Sequence, residues 1–144
     1  MNERLVAPLS VQLIGALRAL EDQLEGALEP VGLSLAKLGV LARLAAAREP
    51  LPLGTLAERC ACVRSNITQL VDRLEAEKLV ARADDPHDRR SVRAELTAEG
   101  RSRYAAGMLA LEEAEREVLS RLPREQRDSL VEILHSLRGT PTTP

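Results

Sequence analysis

Aromatic side chains are almost absent from this 144-residue chain, which has one tyrosine, Tyr104, and neither phenylalanine nor tryptophan. Proteins that hold single-stranded nucleic acid by stacking bases on aromatic platforms need what this sequence lacks, so that class is excluded. Cysteine is nearly as scarce. Cys60 and Cys62 stand two residues apart and cannot staple a domain together, which excludes a disulfide framework. No run approaches the roughly 20 apolar residues of a membrane span. The opening MNERLVAPLS has no basic stretch leading into an apolar core, so no secretory signal is visible. These absences lead to the expectation of a cytoplasmic protein without membrane contact.

Surplus charge is missing too, with 20 Lys+Arg against 22 Asp+Glu. A polycation that binds nucleic acid by net charge is thereby excluded, and any such site must be local. There is no glycine-rich phosphate loop, no nucleophile elbow and no histidine beside a plausible nucleophile, which reads as a protein that is not an enzyme and needs no cofactor. His87 and His135 lie far apart without metal-ligand spacing, so no metal site is expected.

What is present favours helix. Alanine and leucine abound, and 18 of the 20 basic residues are arginine. Leu9, Leu13, Leu17, Leu20, Leu24 and Leu28 recur at three- and four-residue steps, predicting an amphipathic helix that Pro8 can open and Pro30 must stop. Ser34 is a plausible N-cap for a second helix through Leu38, Leu41 and Leu44 to about Ala47. The EPLP stretch at 49–52 breaks the chain. A short helix from about Gly54 to Cys60 follows, then a tight turn and a helix from about Arg64 to Glu77. Residues 79–83 and 91–96 alternate apolar and polar side chains around the turn-rich DDPHDRR, predicting a two-stranded antiparallel hairpin with a loop at its tip. Thr97 then caps a long helix to about Arg121, and Pro123 opens a last helix ending near Gly139. The tail at 140–144 reads as disordered.

The expected fold is mainly α with a small β-wing: one domain whose winged helix-turn-helix occupies 34–96. The terminal helices, 8–30 and 98–138, have nothing obvious to cover in so small a globule. On the helix at 64–77, steps of about 100° bring Ile67, Leu70, Val71 and Leu74 into one core-facing sector. Ser65, Gln69, Asp72 and Ala76 lie opposite, with Arg73 slightly aside and Asn66 and Thr68 flanking. Amides pair with adenine, a guanidinium with guanine, and a threonine methyl touches thymine, so this face suits base edges in a major groove. The alternative is a merely solvated helix surface. In the hairpin, Arg89 and Arg90 are expected at a protruding tip beside Asp85 and Asp88, suited to a narrow minor groove, with a carboxylate holding a guanidinium in place. Here the alternative is an idle surface charge cluster. Residues 60–103 carry nine basic and eight acidic residues, a modest local bias toward a polyanion.

LAERCACVRSNITQLVDRLEAEKLV (56–80) followed by DPHDRRSVRAELTAEG (85–100) resembles the MarR family of bacterial winged-helix regulators. The helix-turn-helix, Asp88 and Arg90 at the wing tip, and Leu96, Thr97 and Gly100 at the next helix match in order and spacing, and the likeness extends over about 8–138. The resemblance implies an obligate homodimer on double-stranded DNA, held by the terminal helices, acting as a repressor on a pseudo-palindromic operator. By position it makes Arg64, Ser65, Asn66, Thr68, Gln69 and Arg73 recognition-helix contacts. It makes Arg90, together with Arg89, the minor-groove contact and Asp88 its orienting partner. A small-molecule effector of unknown identity is also implied, in a cleft that Leu13, Leu17, Leu38 and Leu41 would border unless they are plain core; Arg18 or Arg43 could meet an anionic ligand there, and each could as easily be a solvated surface charge.

This chain departs from the family at the turn. Ala61 stands where glycine is usual, Val63 cannot cap the following helix, and Lys78 replaces a frequent glycine before the wing. Cys60 and Cys62 occupy positions of buried aliphatics, where cysteine packs as a small hydrophobe. A thiol-switched regulator, and a winged helix used only for protein contact, are the alternatives.

Overall fold

The computed structural model describes residues 7–60 and 64–139, with Arg64 and Ser65 placed by their backbone alone. The expectations for Ala61, Cys62, Val63 and the 140–144 tail fall outside the described residues. Helix α1 (Leu9–Leu28) runs into a 3-10 turn at Glu29–Val31, and α2 spans Leu35–Ala46. A short strand β1 (Leu51–Pro52), helices α3 (Leu53–Arg59) and α4 (Arg64–Ala76), strands β2 (Val80–Asp85) and β3 (Asp88–Leu96), and helices α5 (Ala98–Leu119) and α6 (Arg124–Leu137) complete the order.

Local chemistry accounts for the boundaries. Pro30 sits in the 3-10 turn, and Gly32 closes it at φ 70°. The Ser34 hydroxyl accepts the Lys37 N–H at 3.1 Å, capping α2 as the sequence predicts. Thr97 does the same for α5, accepting from Gly100 N–H at 2.9 Å, and its hydroxyl also donates to the Lys78 carbonyl at 2.7 Å. The start of α5 is thereby fastened to the base of the wing. Gly100 is there because of a close approach: a Cβ on it would sit 2.0 Å from the Leu79 carbonyl oxygen. Lys78, in the position where the sequence departs from glycine, has φ 62° and so holds the left-handed conformation that ends α4.

The sheet corrects the sequence reading in two ways. It has three strands in the order β1–β3–β2, all antiparallel, because Leu51 pairs with Ala94 and Pro52 with Arg93. The EPLP stretch thus supplies an edge strand as well as a break, and the edge is where a proline without an N–H is tolerated. The hairpin is also longer than its alternation suggests. Pairing continues from Val80↔Leu96 to Asp85↔Asp88, with a register shift between Asp84 and Asp85, leaving only Pro86 and His87 as the turn.

The core is built from α2, α3, α4 and the sheet, with Leu28 at the end of α1 buried among them and α5 packed alongside. Leu41, Leu56, Ile67, Val71, Leu74, Leu79 and Ala94 are fully buried, and no polar side chain is buried with them among the described residues. Leu38 and Leu41 are core. Leu13 and Leu17 are not: they are 39% and 54% exposed on α1, contrary to a core role for them. Every large hydrophobic residue that stands exposed among the described residues lies on α1, α5 or α6. No helix there is long and apolar enough to cross a membrane.

Candidate nucleic-acid interface

Helix α4 is seated by its apolar face. Ile67, Val71 and Leu74 are buried and Leu70 half-buried, the sector predicted from helical spacing. Burying that sector turns the other side outward, where Asn66, Thr68, Gln69, Asp72, Arg73 and Ala76 lie, with Gln69, Asp72 and Arg73 open to solvent. Arg64 and Ser65 form its first turn by backbone. The residues expected to read bases therefore stand on one helix, which exposes amides, a hydroxyl and a guanidinium.

The wing is the second component. Asp88, Arg89 and Arg90 are exposed, but they stand in β3 rather than in a loop, because the ladder extends to Asp88 and overrides the weak strand preference of Asp. Pro86 and His87 occupy the tip. Asp88 has a different job from the one expected: its Oδ1 accepts the backbone N–H of Arg90 at 2.9 Å, so it orients the strand and not the guanidinium. A carboxylate two residues upstream reaches that N–H more readily than a long side chain directed elsewhere. Asp85 accepts the His87 N–H at 2.8 Å through one oxygen and pairs with Arg93 Nη2 at 3.2 Å through the other. The His87 N–H, and after it the Arg93 guanidinium, hold the Asp85 carboxyl below its ordinary pKa despite some desolvation. Among the described residues neither the Arg89 nor the Arg90 guanidinium pairs with a carboxylate, and both residues are exposed.

Helix and wing are tied by ion pairs that no sequence pattern announced. Arg82 on β2 donates through Nη2 to Asp72 Oδ1 and through Nη1 to Glu75 Oε1 at 3.4 Å. Lys37 on α2 pairs with Glu77 just past α4, at 2.6 Å. Opposite charges so far apart along the chain give no local signal; only the return of β2 along α4 joins Arg82 to its acids.

The remaining candidates from the sequence separate from this face, and each is placed by its burial. Cys60 is partly buried at the end of α3, packed against the core. His87 is in the wing turn and His135 on α6, and no group of three or more metal-binding side chains comes together among the described residues. Of the four leucines expected at an effector cleft none lines the apolar cavity that is present. That cavity, about 480 Å³, lies between α1, α5 and α6 and is lined by Leu20, Leu24, Leu111, Val118, Leu130 and Leu134 among others. Arg18 and Arg43 do not line it either, whereas Arg127 does.

The fold that carries this helix and wing has counterparts in known proteins. The MarR family pattern matches residues 31–91, which span α2, the helix-turn-helix and most of the wing. The chain belongs to the MarR family. Its likeness to solved MarR-type structures runs through nearly the whole chain. A probable transcriptional regulator from Pseudomonas aeruginosa superposes with a TM-score of 0.82 at 27% identity, covering 93% of this chain and 99% of that one. The transcriptional repressor CouR, solved bound to a 23-mer DNA duplex, gives 0.84 at 27% identity, covering 91% and 92%. The transcriptional repressor MdtR of Bacillus subtilis is 31% identical over 68% of this chain, and a homoprotocatechuate degradative operon repressor of Escherichia coli is 28% identical over 65%. The chain spans 63% and 64% of the lengths of those two relatives.

Proposed function

We propose that the chain is a sequence-specific, double-stranded DNA-binding transcriptional regulator that works as a homodimer, most simply a repressor on a pseudo-palindromic operator. The observation that carries this reading is the exposed polar stripe of α4 standing beside a wing whose Arg89 and Arg90 guanidinium groups pair with no carboxylate among the described residues. Asn66, Thr68, Gln69 and Arg73, with Arg64 and Ser65 in the first turn, read base edges in the major groove, while Arg90 and Arg89 enter the flanking minor groove. Asp88 serves by fixing the backbone at Arg90. The DNA-bound state of CouR, a relative of the same fold, supports the assignment.

Homodimerisation is supported by the exposed apolar residues of α1 and α6. Leu9, Val11, Ile14, Val131, Ile133 and Leu137 are each more than half exposed, a patch that monomeric proteins seldom leave open. A two-fold pair would cover it and set two α4 helices about 34 Å apart, one turn of duplex. The cavity between α1, α5 and α6 favours ligand response as well. Its volume is within the range of small-molecule sites, and its mostly aliphatic lining suits an apolar molecule, Arg127 being accompanied there by Glu115 and Asp128.

The test is selection of bound duplex from a random pool, followed by binding of the enriched sequence. Enrichment of a two-fold-related motif is expected, and Arg90→Ala should weaken binding and flatten its salt dependence by about one ion per subunit. A protein that enriches nothing, or whose affinity ignores Arg90, is a winged helix used for protein contact instead. A panel of small apolar molecules should release the duplex from the wild type and less readily from Leu111→Trp, which narrows the cavity.

A further inference from the structure

Asp72 is out of place on a surface that meets a polyanion. It follows Thr68 by four residues and Gln69 by three, so it is their neighbour on the outer face of α4, and its side chain is 56% exposed. Glu75, 42% exposed, stands nearly one turn further on. Two carboxylates on the base-reading side of a recognition helix would oppose the phosphates of any duplex laid against it. The fold answers them from the wing. Arg82 is held in β2 opposite the buried Ala94, and its forked guanidinium reaches both acids at once. A lysine, with a single point charge, could not span them in the same way.

We propose that Arg82 is a positioning residue for DNA binding: it holds Asp72 and Glu75 and screens their charge, so that the α4 face can approach phosphate. This rests on the DNA-binding reading above. An exposed ion pair contributes little to the stability of a free protein, because water and salt screen it. Its effect arises when a polyanion covers the same face, where uncompensated like charge is costly and excludes the partner. Arg82 therefore acts through Asp72 and Glu75, and its loss is repaired by removing their charge.

The test uses the full chain and a fluorescently labelled duplex that the wild type enriches from a random pool. Arg82→Ala should bind that duplex about tenfold more weakly while melting within a few degrees of wild type. The triple variant Arg82→Ala/Asp72→Asn/Glu75→Gln should recover to within about threefold of wild type, since the charges that Arg82 screened are gone. Should Arg82→Ala fold poorly, Arg82→Gln keeps the stem without the charge and repeats the comparison. Unchanged binding by Arg82→Ala overturns the proposal. So does a triple variant as weak as the single one, which would mean that Arg82 touches the duplex itself or acts only through packing. If Arg90→Ala loses binding while Arg82→Ala does not, the DNA-binding reading stands and the role of Arg82 falls; if the wild type binds no duplex, both fall.

Discussion

In the winged-helix body, apolar side chains close on one another: Leu41, Leu56, Ile67, Leu74 and Leu79 have no exposure. In the helical arms the same residue types are left open, with Leu9 at 72%, Leu137 at 62% and not one buried residue on α6. Both regions are amphipathic by sequence. The difference is that α4 finds α2, α3 and the sheet within its own chain, whereas α6 finds no comparable neighbour. An apolar stripe therefore reports that something will be covered, and only the surrounding fold reports by what. Here the body buries its apolar residues within the chain, and the arms leave theirs exposed, as the proposed homodimer would require.

The contrast is most vulnerable in the body. Leu41→Ala should cost about 2–5 kcal/mol by denaturant unfolding, as a fully buried leucine leaves a cavity the packing cannot close. Gly100→Ala should cost about 1–3 kcal/mol or more, because the new methyl collides with the Leu79 carbonyl where α5 meets the wing. In the arms the readout changes in kind. Ile133→Asp/Leu137→Asp, at exposed positions outside the cavity lining, should shift the protein from dimer to monomer in sedimentation equilibrium while leaving the spectrum of the body intact. If those aspartates left the oligomeric state unchanged, the arms would be covered by some other means.

Smaller effects are expected where body and arms join. Thr97→Ala removes the cap on α5 and its bond to Lys78, and should lower stability by about 1 kcal/mol in thermal unfolding. At the wing tip, Asp85 has a folded pKa below its ordinary value. Its contribution to wing order is present above the unfolded carboxylate pKa and fades as pH falls through the depressed folded value. The Arg93 side-chain resonances should therefore shift as pH falls through the carboxylate range in the wild type and change much less in Asp85→Asn, with little change in global stability.

Much of the body is legible in the residues. Ser34 and Thr97 cap the helices that their positions predict, and the sector Ile67, Leu70, Val71, Leu74 faces inward as the 3.6-residue period requires. Lys78 is marked by its departure from glycine and holds a positive φ. The misses share one physical origin. A two-residue strand such as β1 has no periodicity to read, and the far end of the wing is made of Asp and Arg, whose strand conformation comes from the ladder and not from their own preference. Asp88, expected to hold a guanidinium, holds a backbone N–H, since local geometry favours the nearer donor. The Asp72–Arg82–Glu75 cluster is invisible in the sequence because its members are brought together by chain reversal.

The helices, their caps, the inward and outward faces of α4 and the family are all written in the order of side chains along a few turns of backbone, and the sequence sufficed for them. Which apolar stripes are satisfied within the chain, how far the wing extends, and which carboxylate each arginine meets were settled only by the folded chain. Those outcomes depend on where the chain turns back and on what then lies beside each segment, and local spacing carries no record of that.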